Sequence, residues 1–380
     1  MKAQELLEKI KNLGIEVIAG VPDSTLKQFC DGLQLHPEYF RHYVTANEGA
    51  ATGLAVGAYL ASGKPACVYM QNSGIGNMVN PFASLAHEDV YRIPMLFLVG
   101  WRGEPGVKDE PQHVFQGKIT CALFDTLSIP YEVTGKDTAE EEWNVILQKA
   151  AAALKKNSPF AIIIKKGAFE PDRKFTWENG NGLVREEALC SILKQLPKDA
   201  CIVSTTGKIS RELYEQSNRL YGNHDRLFMT VGGMGHASMI AFGIAQEKRE
   251  KKVVCIDGDG AVLMHMGALP FLALNAPENF IHIVINNQAH ESVGAMPTGC
   301  RDAEFARIAQ AAGYVHAQRI TDSEGLAELE REFCHRKGPA LYEIMVGLKS
   351  RADLGRPAET AADNRDAFMR YLGRGKEGNS

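Results

Sequence analysis

Four short runs of this chain are apolar at every position, residues 95–99, 161–164, 201–203 and 253–256, and a fifth, 281–285, is broken only by His282. A strand with one wet face alternates polar and apolar residues. A strand with no polar side is covered on both faces, as in a parallel sheet packed between helices. The stretches between the runs carry helical spacing, as at Leu6, Leu7, Ile10 and Leu13. Further strands are predicted over 17–19, 43–46, 66–70, 227–230 and 341–346, and an Ala- and Gly-rich helix over 48–61. Asp23 and Ser24 are residue types that cap the start of a helix carrying Leu26, Phe29, Cys30 and Leu33. The fold class that follows is α/β, with parallel sheets in three layers.

The alternation stops once, where residues 165–185 turn polar and rich in Pro, Gly and Asn, and then it resumes. A chain of 380 residues holds two domains at ~100–200 residues each. The expected division is 1–167, a surface linker over 168–184, and 185–380. The last ~30 residues, rich in Arg, Asp and Gly, read as a peripheral tail. A hydrophobic share of 45% excludes disorder and collagen. The eight cysteines include no Cys-x-x-Cys, which excludes a metal knuckle and reads as buried, reduced thiols. With 42 basic against 46 acidic residues there is no electrostatic footprint for nucleic acid or an anionic membrane. The first residues begin an amphipathic helix with acidic positions, unlike a signal peptide. No apolar run approaches the ~20 residues that span a bilayer. A soluble, cytoplasmic protein is expected.

Chemistry gathers at the predicted strand ends. Asp257-Gly258-Asp259-Gly260 follows the strand 253–256, and Asn286-Asn287 ends the strand 281–285 after 25 intervening residues. That interval fits one right-handed crossover, which makes the two strands neighbours. Their ends then present a carboxylate and an amide oxygen beside glycines whose backbone N–H groups can face a phosphate. Mg²⁺ takes oxygen ligands of this kind. Taken singly, Gly-Asp-Gly is a tight turn, and Gly233-x-Gly235 opening a helix is a dinucleotide turn that lacks its third glycine, Ser238 standing there. Met234 reads as a core methionine, Glu48 as a carboxylate capping a helix, and Arg102 and Lys108 as solvated loop charges. A nucleotide-dependent dehydrogenase and a non-catalytic binding module are the other readings.

Gly-Asp-Gly with Asn-Asn at this interval resembles the fingerprint of thiamine-diphosphate-dependent enzymes. Over most of its length the chain resembles the 2-keto acid decarboxylases of that family in their short form, two domains of the thiamine-diphosphate-binding fold with the central third domain absent. The resemblance implies a pyrimidine-binding first domain and a diphosphate-binding second one. It implies that Asp259, the Asn287 side chain and the Ala289 carbonyl hold Mg²⁺. Gly258, Gly260 and Ala261, with the loop Thr206-Gly207, would hold the diphosphate. Met234 would wedge between the cofactor rings, and the Gly232 carbonyl would accept from the cofactor's amino group. Asn47-Glu48-Gly49-Ala50-Ala51 matches the segment of the cofactor-activating glutamate. A carboxyl in an apolar pocket stays protonated near neutral pH, and there it favours the imino form of the pyrimidine, which removes the thiazolium proton. Glu48 and the metal motif lie in different halves, which in this family meet across subunits. A homodimer or larger homo-oligomer with sites at the subunit interface is implied.

Among short members, the segments 20–24, 72–77, 205–208 and 286–294 resemble those of enzymes acting on 3-phosphonopyruvate. The implied products are phosphonoacetaldehyde and CO₂, in the biosynthesis of phosphonates such as 2-aminoethylphosphonate. Sulfopyruvate is the nearest alternative substrate. For the phosphonate or sulfonate group, Arg102, Lys108 and His113 are donors on the segment 101–116, and helix N–H groups beside Asp23 and Ser24 are others. Asp23 itself would repel an anion unless it orients a donor. Gln112-His113 stands where larger decarboxylases have a His pair. His113, His290 and Glu291 are the expected proton carriers. Retention of Glu48, Asp259 and Asn287 together argues against a non-catalytic relative.

Overall fold

The computed structural model describes residues 1–373 and divides into two units. One is Met1–Trp177 with His290–Gly299; the other is Glu178–Ala289 with the chain from Cys300 on.

The first unit alternates α1 (Ala3–Asn12), β1 (Val17–Gly20), α2 (Lys27–Leu35), β2 (Arg41–Val44), α3 (Glu48–Ser62), β3 (Ala66–Gln71), α4 (Ile75–Pro81), β4 (Met95–Gly100), α5 (Pro111–Thr126), β5 (Tyr131–Thr134), α6 (Glu140–Lys155) and β6 (Phe160–Ile164). Its strands form one parallel sheet in the order β2-β1-β3-β4-β6-β5. Alternation along each strand feeds two cores. Leu96 and Leu98 join Leu6, Ile10, Phe29 and Trp143 on one face, while Phe97 and Val99 join Ala51, Met78, Phe82 and Phe124 on the other. The run 95–99 is therefore apolar throughout because both of its faces are covered.

The second unit repeats the plan with α7 (Arg185–Gln195), β7 (Cys201–Ser204), α8 (Lys208–Tyr221), β8 (Leu227–Met229), α9 (Ala237–Glu247), β9 (Val253–Gly258), α10 (Asp259–Met264), α11 (Ala268–Asn275) and β10 (Phe280–Asn286). After the short strands β11 (Ala289–His290) and β12 (Met296–Pro297) come α12 (Phe305–Ala312), β13 (His316–Ile320), α13 (Ser323–Ala327), α14 (Leu329–His335), β14 (Ala340–Met345) and α15 (Ala361–Tyr371). The sheet is parallel, in the order β13-β14-β10-β9-β7-β8. The expected three-layer α/β architecture is present in each unit. Among the described residues no helix is long and apolar enough to cross a membrane.

Several local expectations are corrected. Strands β5 and β13 were not anticipated: each is an edge strand with a single neighbour, so half-buried Tyr-Glu-Val-Thr and His-Ala-Gln-Arg-Ile leave no apolar run. The crossover between β9 and β10 carries two helices, α10 and α11. Helix α2 starts at Lys27 rather than beside Asp23. The linker is not a loose surface segment throughout, because Ala168 and Phe169 are buried in the first unit's core. The tail is partly a packed element. Thr360 and Asp363 cap α15 reciprocally, Phe368 is buried, and Asn364 accepts from the Met229 N–H and donates to the Leu227 carbonyl. The open edge of β8 is covered in this way. Residues 374–380 lie outside the described ones. None of the eight cysteines forms a disulfide, but only five are buried, and Cys334 is exposed.

Arg185 and Glu212 form a fully buried pair in which Nε and Nη2 donate to the two carboxylate oxygens at 2.8 and 2.7 Å. Removing one member leaves a desolvated charge. Glu212→Ala is expected to cost about 3–5 kcal/mol, read as a lowered urea midpoint of the apoprotein. An unchanged midpoint would show that the pair contributes nothing.

Candidate active site

In the second unit, β9 and β10 run side by side with Gly258 opposite Ile285. Asp259 opens α10 immediately past β9, and Asn287 follows β10 at the same end of the sheet; both side chains are buried. The Asn-Asn pair divides its labour. Asn286 donates through Nδ2 to Oε1 of fully buried Glu343 (2.7 Å), whose Oε2 accepts from the Ala306 N–H. The Asn286 Oδ1 accepts from the Gln288 N–H and the Asn287 Oδ1 from the Ala289 N–H, at 3.0 and 3.1 Å. Gln288 sits at φ +60°. Side chain–backbone bonds of this type stabilise a tight turn, and they fix the peptide that carries Asn287 and Ala289. An amide oxygen has two lone pairs, and the Ala289 N–H takes up one of those on Asn287 Oδ1.

Two more loops rise at the same end. The Thr205 N–H donates to the Ile256 carbonyl, and Gly207, at φ +97°, heads α8 without a capping side chain. The Thr230 hydroxyl donates to the Ser204 carbonyl (2.9 Å) and the Thr206 hydroxyl to the Val231 carbonyl (3.1 Å), tying the loops after β7 and β8 together. In Gly232-Gly233-Met234-Gly235, a Cβ on Gly235 would stand 2.6 Å from the His265 ring and 2.9 Å from the Ala261 carbonyl. Only glycine lets this loop lie against the first turns of α10, where Gly260 and Ala261 are. Met234 is half-buried and joins no hydrophobic core, contrary to its reading as a core methionine.

In the first unit, Asn47 caps α3 by accepting from the Ala50 N–H. Glu48 is 4% exposed, and its Oε2 accepts from Asn77 Nδ2 at 2.7 Å. Burial raises its pKa; the Asn77 bond opposes the rise. Gly49 lies against the Asn77 carbonyl and Gly74 against the Glu48 carboxyl, where a Cβ would come within 2.8 and 2.2 Å. Each residue of Asn47-Glu48-Gly49 thus has a steric or bonding reason.

Arg102 anchors a second cluster. Asn72 grips its backbone, donating to its carbonyl and accepting from its N–H at 2.8 and 3.1 Å. Its guanidinium donates from Nε and Nη2 to Asp109 (2.8 and 2.5 Å) and from Nη1 to the Ser24 hydroxyl (3.1 Å). Asp109 also accepts from two backbone N–H groups, and the Arg102 bond lowers its pKa first of all. Asp23 is fully buried. Its Oδ1 accepts from Gln71 Nε2, and its Oδ2 from the N–H groups of Thr25 and Leu26. The N–H groups expected for a substrate anion are therefore already taken by Asp23, which acts as a local cap. Lys108 is exposed. Burial lowers the pKa of His113, and Arg102 lowers it further. His290 falls to about 4 through burial, and its Nε2 has no hydrogen-bond partner. Glu291 is partly exposed in a single turn. The hairpin that carries both belongs to the first unit: Met296 enters its core and Gly294 packs on Lys27.

Asn72, Asn77, Asp109, Glu343 and Asn179 were not singled out from the sequence. Asn72 and Asn77 lie in a segment read as similar to the family, which was the one available signal. The others act only through contacts that folding creates.

Residues 2–126 match the family model described as thiamine pyrophosphate enzyme, N-terminal TPP binding domain, and residues 207–344 match the C-terminal TPP binding domain. The chain belongs to the thiamine pyrophosphate enzyme family. Within it, the chain is 34% identical to a phosphonopyruvate decarboxylase of Streptomyces viridochromogenes, over 97% of this chain and 94% of the relative. It is 33% identical to a phosphonopyruvate decarboxylase of Streptomyces hygroscopicus, over 94% and 90%. A sulfopyruvate decarboxylase of Methanosarcina acetivorans is 28% identical, over 87% of each chain.

Proposed function

We propose that this chain is a thiamine-diphosphate- and Mg²⁺-dependent decarboxylase that converts 3-phosphonopyruvate to phosphonoacetaldehyde and CO₂. The observation that carries the reading is the similarity, over nearly all of both chains, to two phosphonopyruvate decarboxylases. The residues present fit the cofactor. Asp259, Asn287 and the Ala289 carbonyl offer hard oxygens only, as Mg²⁺ requires. Gly260 and Ala261 open a helix directly behind Asp259, with Gly258 before it, and Thr206-Gly207 lies on the neighbouring loop. Glu48 is buried, which suits a carboxyl that must hold its proton. When bound, thiamine diphosphate supplies an electron sink for the charge left as CO₂ departs.

The chain's own residues do the rest. Glu48 holds a proton on its carboxyl for the pyrimidine nitrogen, steadied by Asn77. Met234 and the Gly232 carbonyl orient the cofactor rings. Arg102 has five N–H donors; three bond Asp109 and Ser24, and the remaining two are what Arg102 would offer the substrate's phosphonate. Lys108 adds positive charge on the same segment. Burial lowers the pKa of both His113 and His290, and a neutral imidazole still has one N–H to give. His113, His290 and Glu291 are the groups from which the carbon that lost CO₂ would take its proton. The functional unit is a homo-oligomer with its sites at the subunit interface, a reading supported by exposed Leu60, Tyr91 and Phe115 on the first unit. Eight cysteines without a disulfide among them support a reducing compartment, the cytoplasm.

A sulfonate also presents three oxygens to Arg102, so the test is a comparison. Purified protein with thiamine diphosphate and Mg²⁺ is offered phosphonopyruvate, sulfopyruvate and pyruvate. The expected order of kcat/KM places phosphonopyruvate first; a higher value for sulfopyruvate overturns the assignment. Arg102→Met should raise KM for phosphonopyruvate by about 10- to 100-fold, the worth of a charge-assisted hydrogen bond, and leave pyruvate turnover unchanged.

A further inference from the structure

The chain between the two sheets contains Glu178-Asn179-Gly180-Asn181-Gly182. Gly180 is at φ +72°, which reverses the backbone between the two asparagines. Beneath them the ladder between β10 and β14 runs out. Its last bonds are at Asn286 and Met345, followed by the Val346 N–H donating to the Asn286 carbonyl. The next carbonyls, those of Asn287 and Val346, are both taken by one group: Asn179 Nδ2 donates to them at 2.9 and 2.8 Å. The orientation of that amide is set by its other end, since Asn179 Oδ1 accepts from the Asn181 N–H at 3.0 Å. Asn181 Nδ2 adds a bond to the Val346 carbonyl at 3.2 Å and approaches Gln288 Oε1 at 3.5 Å. The Gly347 N–H donates back to the Leu183 carbonyl, and a Cβ on Gly347 would stand 2.8 Å from the Asn181 carbonyl. The segment is laid flat across the strand ends and bonded there at several points.

We propose that Asn179, assisted by Asn181, is a positioning residue for the metal loop: it holds the backbone of Asn287 and thereby sets where the Asn287 amide oxygen stands as a Mg²⁺ ligand. The inference rests on the reading of Asn287 as a ligand. Asn286, the first residue of the turn at 286–289, is tied to Glu343 on β14. Asn179 adds a tie one residue further on, linking the carbonyl of Asn287 to that of Val346 just past β14. Groups that orient a metal ligand from outside the coordination shell change affinity by about 10- to 100-fold when removed.

The test is a Mg²⁺ titration of the apoprotein at saturating thiamine diphosphate, followed by calorimetry. Asn179→Ala should weaken the apparent Mg²⁺ affinity by about 10- to 100-fold, with kcat restored at saturating Mg²⁺. A defect of folding alone would lower the melting temperature with and without Mg²⁺ and would not be rescued by the ion. Asn179→Asp keeps the shape, loses both donors and should behave alike, which keeps the test open if the alanine variant does not fold. Mg²⁺ affinity equal to the parent's in either folded variant overturns the proposal. Failure of the parent protein itself to bind Mg²⁺ with thiamine diphosphate overturns instead the reading of the site, and is told apart because it appears before any substitution.

Discussion

Glu48→Gln should lower turnover by about 10²- to 10⁴-fold, the usual contribution of a positioned acid–base group, while making the apoprotein more stable at alkaline pH. Both effects come from one cause. Burial raises the Glu48 pKa above its ordinary 4.5. Above pH 4.5 the unfolded chain has released this proton, whereas the folded chain keeps it until the raised value is passed. The folded state therefore binds more protons in that window, and stability falls as pH rises through it. Glutamine occupies the same space, still bonds Asn77 and has no proton to lose. Denaturant midpoints of parent and variant measured from pH 5 to pH 8 should diverge, the variant gaining on the parent as pH increases. Parallel curves, or an unimpaired Glu48→Gln enzyme, would remove Glu48 from the role given to it.

Asp259→Ala should abolish cofactor retention. Asp259 is the only charged member of the proposed metal set, and a lost ligand should cost at least the ~100-fold that removing an outer partner can cost. A cofactor present at ~100 times its Kd stabilises the folded state by about 2.7 kcal/mol. The parent should therefore melt at a higher temperature with Mg²⁺ and thiamine diphosphate than without. The variant should show no such rise, whichever of the three keto acids is offered. A full rise in the variant would mean that Asp259 does not hold the metal.

Which parts of this were legible in the sequence follows from how locally each is encoded. Runs such as 95–99 and 253–256 announce strands covered on both faces, and that alone set the sheet class. The nearness of Asp-Gly-Asp-Gly and Asn-Asn was legible because each ends a strand and the two strands pair directly, so spacing along the chain translates into adjacency in space. Edge strands β5 and β13 escaped notice because half-exposed strands need no apolar run. Asp23 was misread for a related reason: standing three residues before Leu26, the N-cap of α2, it caps the turn ahead of the helix and consumes the N–H groups that a ligand was expected to use. Asp109, Asn72 and Asn179 act on residues 7, 30 and 108 positions away, and nothing in composition or period marks such partners. Asp109 lay inside a segment already suspected, yet a loop carboxylate beside a lysine looks the same whether it is solvated or locked.

The excursion of residues 290–299 has its own consequence. The chain passes between the two units three times, after Trp177, after Ala289 and after Gly299, so the polar stretch near 170–180 is not a seam along which the protein can be cut into independent modules. A fragment ending there would lack the Met296 side chain that helps fill its own interior, and the complementary fragment would carry an orphan hairpin with nothing to bury that methionine. Inheritance, duplication or engineering of the halves as separate genes therefore has to bring the hairpin back to its acceptor, and recombination at the obvious junction does not conserve the parts.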